Sequence, residues 1–258
     1  MSDKPKEIQW IPLESNPEVL NKWAKSAGLI TSQDIFQDIY GLDPELLGMV
    51  PQPVKAVVLL FPLTDALKAK NEEEDSKFVK KELEEVDPTI IWIPQKIDNA
   101  CGTIGLLHSL INSRTTISPS DGSPDGPPSL ADFIERCKEI TPEERAGLLV
   151  DPKSRFASLF AKIHADAATS GQSAVPTNLD TNLHFTCFVM APSVESRESN
   201  VKGAGGHRLI ELDGRRKGPL DRGPCEDLLK DAAEFIKTYY ISQSTDIQFN
   251  MMALAPPL

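Results

Sequence analysis

Four cysteines and four histidines are the residues of this 258-residue chain best suited to nucleophilic chemistry, and their neighbours separate them. Cys101 stands in Asn99-Ala100-Cys101-Gly102-Thr103, directly ahead of Ile104, Leu107, Leu110 and Ile111, whose spacing is that of one helical face. That spacing predicts a helix beginning at or near Cys101. There the unpaired N–H groups and the helix dipole favour a thiolate by about 0.3 to 1 kcal/mol when exposed, so acidifying the thiol also needs a basic neighbour. The competing reading is a small buried residue without chemistry. Cys137, on a stripe with Leu130, Phe133 and Ile134, reads as core; Cys187 reads as a packing position and Cys225 follows Gly223-Pro224.

The basic neighbour has to be one of the histidines. His108 falls two turns along the helix that Cys101 begins and would serve that thiol poorly. His164, within a predicted helix, and His207, at a loop edge, read as ordinary solvent-facing residues. His184 opens one predicted strand and Asp213 ends the next, so adjacent strands could set an imidazole beside its orienting carboxylate. The order Cys101, His184, Asp213 would then describe a thiol-protease triad. A strand-end histidine and a turn aspartate also have purely structural uses, and on the residues alone both readings stand.

The elements that must position these groups are legible from pattern. Asn16-Pro17 before Val19, Leu20, Trp23, Ala24 and Ala27, closed by Gly28, reads as a capped helix. Ala56 to Pro62 is apolar and β-branched at its start, as in a strand buried on both faces near the middle of a sheet. From 71 to 87 charges dominate, which predicts a solvated helix or loop. Ser129 and Thr141 each precede a helical pattern, the latter with a capping box to Glu144, and Phe156 to Ile163 form a further stripe. Residues 169–181 read as an exposed loop, 184–190 and 208–212 as strands joined by a Ser- and Gly-rich connection, 228–240 as a helix and 249–255 as a strand. This order, without regular βαβ alternation, predicts an α+β sandwich with helices around a central sheet.

Composition bounds the partners. With 27 Lys and Arg against 38 Asp and Glu, the net charge of −11 opposes binding to nucleic acid or anionic membrane and suits a basic partner. The longest purely apolar stretch, Ala56 to Leu63, is far below the roughly 20 residues needed to span a bilayer. The first residues lack the apolar core of a secretory signal, so the expected setting is a reducing cytoplasm or nucleus with free thiols. No C-x-x-C pair occurs and the histidines do not cluster with the cysteines; neither metal nor cofactor is expected.

The chain resembles the ubiquitin C-terminal hydrolases, thiol proteases of the peptidase C12 class. The resemblance is carried by the segments 10–17 (WIPLESNP), 40–47 (YGLDPELL), 95–103 (QKIDNACGT), 183–185 (LHF) and 209–215 (LIELDGR), which span nearly the whole chain. The Gln-x-x-x-Asn-Ala-Cys-Gly-Thr block is the specific element. The resemblance implies Cys101 as nucleophile, His184 as general base and acid, Asp213 as orienter, and Gln95 as an oxyanion donor beside the Cys101 N–H. It implies a single catalytic domain over 1–258: a mixed α/β fold with a six-stranded antiparallel sheet, a papain-like arrangement, a knotted backbone and an active-site crossover loop at 151–181. The stretch 192–207 is longer than the family's usual connection and reads as a surface insertion.

The family also implies the partner and the chemistry: ubiquitin, or the related NEDD8, with small adducts or short peptides cleaved from its C-terminal glycine through a thioester, by a monomer without cofactor. Candidate contacts to the partner are Glu14, Asp43, Glu45 and Leu220. A non-catalytic ubiquitin-binding module and a thioester-forming acyltransferase are the competing functions.

Overall fold

A computed structural model describes residues 9–123, 126–172, 178–198, 206–243 and 248–258. In chain order the elements are α1 (Pro17–Ala27), β1 (Ile35–Asp38), α2 (Pro44–Leu47), β2 (Ala56–Pro62), α3 (Asp65–Val79), α4 (Cys101–Asn112), α5 (Leu130–Lys138), α6 (Pro142–Val150), α7 (Arg155–Ala168), β3 (Leu183–Pro192), α8 (Val194–Glu198), β4 (His207–Leu212), β5 (Leu220–Pro224), α9 (Leu228–Tyr239) and β6 (Asn250–Ala255). All pairings in the six-stranded sheet β1-β6-β2-β3-β4-β5 are antiparallel. The expected sheet flanked by helices is the one formed.

Two apolar layers cover the sheet, which explains the unbroken hydrophobicity of β2. Ala56 and Val58 enter the layer built with α1, α4, α5 and α7, whereas Val57, Leu59 and Phe61 enter the layer under α9. Helix α4 packs against β3 and β2 on one face and α9 crosses β2, β3 and β4 on the other. Local signals close several helices as the pattern predicts: Asn16 Oδ1 accepts from Val19 N at 2.9 Å, and Gly28 ends α1 at a φ of 116°, where a Cβ is disfavoured. Ser129 and Thr141 form capping boxes with Asp132 and Glu144.

Several expectations are corrected. The region 151–181, which the resemblance implies as the crossover loop, holds α7, the helix that the Phe156 to Ile163 stripe predicts; its buried Phe160, Ile163, His164 and Ala167 pack it on α1, and it ends at Ala168, ahead of the 169–181 stretch. His164 is therefore buried rather than solvent-facing. The connection 192–207 begins with the short helix α8, and 199–205 lie outside the described residues. The charged stretch after 71 is a helix down to Val79, but its Glu74 and Asp75 turn inward to buried arginines instead of water. Strands β1 and β5 carry no strong apolar alternation and lie at the two sheet edges. Among the described residues no helix is long and apolar enough to cross a membrane, and no group of His, Cys, Asp and Glu is arranged to hold a metal.

Candidate active site

Cys101 is the first residue of α4, as its neighbours predict. Asn99, with a φ of 62°, turns the chain into that helix; asparagine tolerates this left-handed conformation better than most side chains. Its side-chain amide donates to Trp10 O at 3.0 Å and to Leu179 O at 2.8 Å, tying the N-terminal segment and the end of the 169–182 connection to the helix start. His184 lies on β3 opposite Phe61 of β2, and Asp213 directly follows β4, the neighbour of β3. The sheet thus brings together residues 29 positions apart: His184 Nε2 and Asp213 Oδ1 are 2.7 Å apart, with both side chains almost fully buried.

The electrostatics separate this group from other histidines and thiols. Burial disfavours a charged His184, but the Asp213 carboxylate, by charge and hydrogen bond, and the Cys101 sulfur outweigh it and raise the imidazole to about 9. Burial likewise opposes a Cys101 thiolate; His184, the Phe185 N–H and the Arg215 charge overcome it and lower the thiol below its ordinary value. Burial raises the other three thiols, Cys137 and Cys225 to about 12 and Cys187 further. With Nε2 engaged by Asp213, Nδ1 makes no hydrogen bond among the described residues and is the ring nitrogen left for the thiol.

Asp213 is held from several sides. Its Oδ1 accepts from Arg215 N at 2.7 Å, and its carbonyl accepts from Trp92 Nε1 at 2.9 Å. Gly214 O accepts from Gln95 N at 2.8 Å. A Cβ on Gly214 would come within 2.7 Å of Ile104 and about 3 Å of Gln95, so glycine lets the Asp213 turn and the Gln95 segment touch. Gln95 Nε2 donates to Ile97 O at 2.9 Å, while its buried Oε1 makes no hydrogen bond among the described residues. Burial lowers the pKa of His108 to about 4, which keeps the ring neutral; its Nε2 accepts from Ile93 N at 2.9 Å and its Nδ1 donates to Leu212 O at 3.1 Å. That ring links α4 to the chain just before Gln95 and just before Asp213. Both ring nitrogens of His108 are thus taken up by backbone groups, a bridging role that the sequence reading missed because no local pattern marks it.

Of the candidate partner contacts, Asp43 and Glu45 are exposed around α2. Glu14 is half-buried, with Oε2 accepting from Asn16 Nδ2 at 2.9 Å and Gln172 N at 3.2 Å. Leu220, the first residue of β5, is only 2% exposed and so offers a docked protein almost no surface; this candidate is corrected.

Comparison with known proteins places the arrangement. Residues 10–240 match the family model described as ubiquitin carboxyl-terminal hydrolase, family 1. The chain is 35% identical over 249 residues to ubiquitin carboxyl-terminal hydrolase 3 of Arabidopsis thaliana, covering 96% of this chain and 94% of that one. It is 34% identical over 254 residues to isozyme L1 of Homo sapiens, covering 96% and 98%. Its fold matches the UCH37 catalytic domain of Trichinella spiralis bound to ubiquitin vinyl methyl ester, with a TM-score of 0.66, 20% identity, and 98% and 97% of the two chains covered.

Proposed function

Because the chain belongs to family 1 of the ubiquitin carboxyl-terminal hydrolases, which are cysteine-type deubiquitinases, we propose that Cys101, His184 and Asp213 cleave small adducts from the C-terminal glycine of ubiquitin through a thioester. One observation carries this reading: of four cysteines, only Cys101 has an acidified thiol, and it is the one beside the buried His184–Asp213 pair. The Cys101 thiolate attacks the glycine carbonyl carbon. The C=O electrons move to oxygen, and the tetrahedral intermediate collapses as the His184 imidazolium gives its proton to the leaving amine. Neutral His184 then takes a proton from water, whose oxygen attacks the thioester carbonyl; the carboxylic acid leaves and the Cys101–His184 ion pair returns. Asp213 holds the ring and its positive charge throughout.

As the first residue of α4, Cys101 has an N–H with no acceptor inside the helix, and Gln95 Nε2 keeps a second N–H beyond the one given to Ile97. These two donors form the oxyanion hole. Exposed Asp43 and Glu45, with half-buried Glu14, supply acidic contacts to a basic ubiquitin surface, and NEDD8 is the alternative modifier.

The test is turnover of ubiquitin bearing a fluorogenic C-terminal amide. Cys101→Ser should release no fluorophore yet still bind ubiquitin, because a hydroxyl keeps the volume but is a far weaker nucleophile at neutral pH. Substantial residual turnover would remove Cys101 as the nucleophile.

A further inference from the structure

A second polar cluster lies behind the His184–Asp213 pair. Arg216, three residues after Asp213, is buried; its Nε donates to Asp75 at 2.9 Å and its Nη2 to Glu74 at 2.6 Å, both on α3. Glu74 also binds Arg222 of β5 and accepts from the Tyr239 hydroxyl at 3.1 Å. Arg222 Nε donates at 2.6 Å to Glu211, which is wholly buried two residues before Asp213. Glu211 accepts from Tyr240 and, at 3.1 Å, from Thr186, two residues after His184. Tyr240 packs on Phe61, whose ring meets the His184 ring edge-on at 5.6 Å.

A buried ion-pair cluster of this kind is a weak source of net stability, because desolvation offsets most of the attraction, but it fixes geometry. Its location says which geometry. The 213–216 turn carries the orienting carboxylate and accepts the Gln95 N–H, while its far end is joined to the rest of the fold by the Arg216 side chain.

We infer that Arg216 is a positioning residue of the reaction, clamping the 213–216 turn to Glu74 and Asp75 of α3 so that Asp213 stays on His184 and Gln95 stays at the oxyanion. This rests on the triad reading above. The charged and titratable groups that weigh most on Asp213 are His184 and Arg216, with His108 and Tyr240 also coupled to it; on His184 they are Asp213 and Cys101, and on Cys101 they are His184 and Arg215. Loosening the turn weakens the Asp213–His184 contact, so the imidazolium loses its proton at lower pH. The weakened imidazolium in turn lets the thiol hold its proton to higher pH. The bell-shaped profile of kcat/KM narrows from both sides.

Wild type, Arg216→Met, Asp75→Asn and Asp213→Asn are compared on ubiquitin with a fluorogenic C-terminal amide, recording kcat, KM, the pH profile and the active fraction by covalent titration. Arg216→Met is expected to lose at least about tenfold in kcat, with KM within about twofold and a narrowed bell. Asp75→Asn, which removes one of the two carboxylates on Arg216, shifts the same limbs by less. A role in stability alone would lower the active fraction and leave both limbs in place, which overturns the inference. Should Arg216→Met fail to fold, Asp75→Asn decides, and a wild-type profile for it overturns the clamp. Wild-type turnover by Asp213→Asn overturns the triad reading itself, a distinct failure.

Discussion

The Asp213 carboxylate acts at the residue scale by fixing both a tautomer and a charge. It receives the Nε2 proton of His184 and leaves Nδ1 toward the thiol, so Asp213→Asn, which offers no charge and can present an N–H to the ring, disfavours that tautomer. Turnover is expected to fall by up to about 10⁴ with the fold intact, checked by steady-state kinetics beside circular dichroism. Gln95→Ala removes one oxyanion donor and should cost about 10²- to 10³-fold in kcat with little change in KM. An equal loss in ubiquitin affinity would instead place Gln95 in substrate binding. Asp213 is itself held below its ordinary range: burial opposes the charge, and His184, the Arg215 N–H and Arg216 prevail.

At the scale of elements, helix α4 both begins at the nucleophile and fixes its surroundings. Its Cys101 faces β3, where Phe185 N–H supports the sulfur, and two turns later His108 holds the segments leading to Gln95 and Asp213. His108→Leu keeps an apolar side chain but strands the Ile93 N–H and the Leu212 C=O in the interior. Each unsatisfied group costs about 1–3 kcal/mol, so the urea midpoint should drop and kcat should fall in the protein that remains folded. His108→Gln, able to donate and accept, should recover part of both. Equal midpoints for the leucine and glutamine variants would mean that the ring contributes volume and not these two bonds.

For the whole molecule, buried histidines set the acid limit. His108 and His164 are both lowered to about 4 by burial, against roughly 6.5 in an unfolded chain. Between those values the unfolded state binds more protons than the folded state, so stability falls as pH drops from about 6.5 to 4. Each ring contributes on the order of 3 kcal/mol at neutral pH by this linkage. Glu74, held at about 2 by Arg222 and Arg216 against its burial, loses its contribution only below the ordinary carboxylate range, a separate and more acidic window. Urea midpoints at pH 7, 5.5 and 4.5 check the histidine window. The double variant His108→Gln, His164→Gln should start lower at pH 7 and fall less steeply, whereas an unchanged slope would assign the acid loss to other groups.

By itself the sequence determined the elements whose signals are local. Caps and apolar stripes locate α1, α5, α6 and the start of α4 because a helix is specified by neighbours three and four residues apart, and β2 is legible because both its faces are buried. The resemblance singled out Cys101, His184, Asp213 and Gln95 as well, since the motif blocks are contiguous. What only the tertiary structure decided is long-range partnership. Strands β1 and β5 acquire their identity from the strands they pair with, and Leu220 turns inward for the same reason. His164 is buried because α7 packs on α1, and Glu74 leaves water for Arg216, 142 residues away, because the sheet carries the arginine to it. A charge run looks the same in sequence whether water or a guanidinium satisfies it; desolvation energy distinguishes them only when the fold closes.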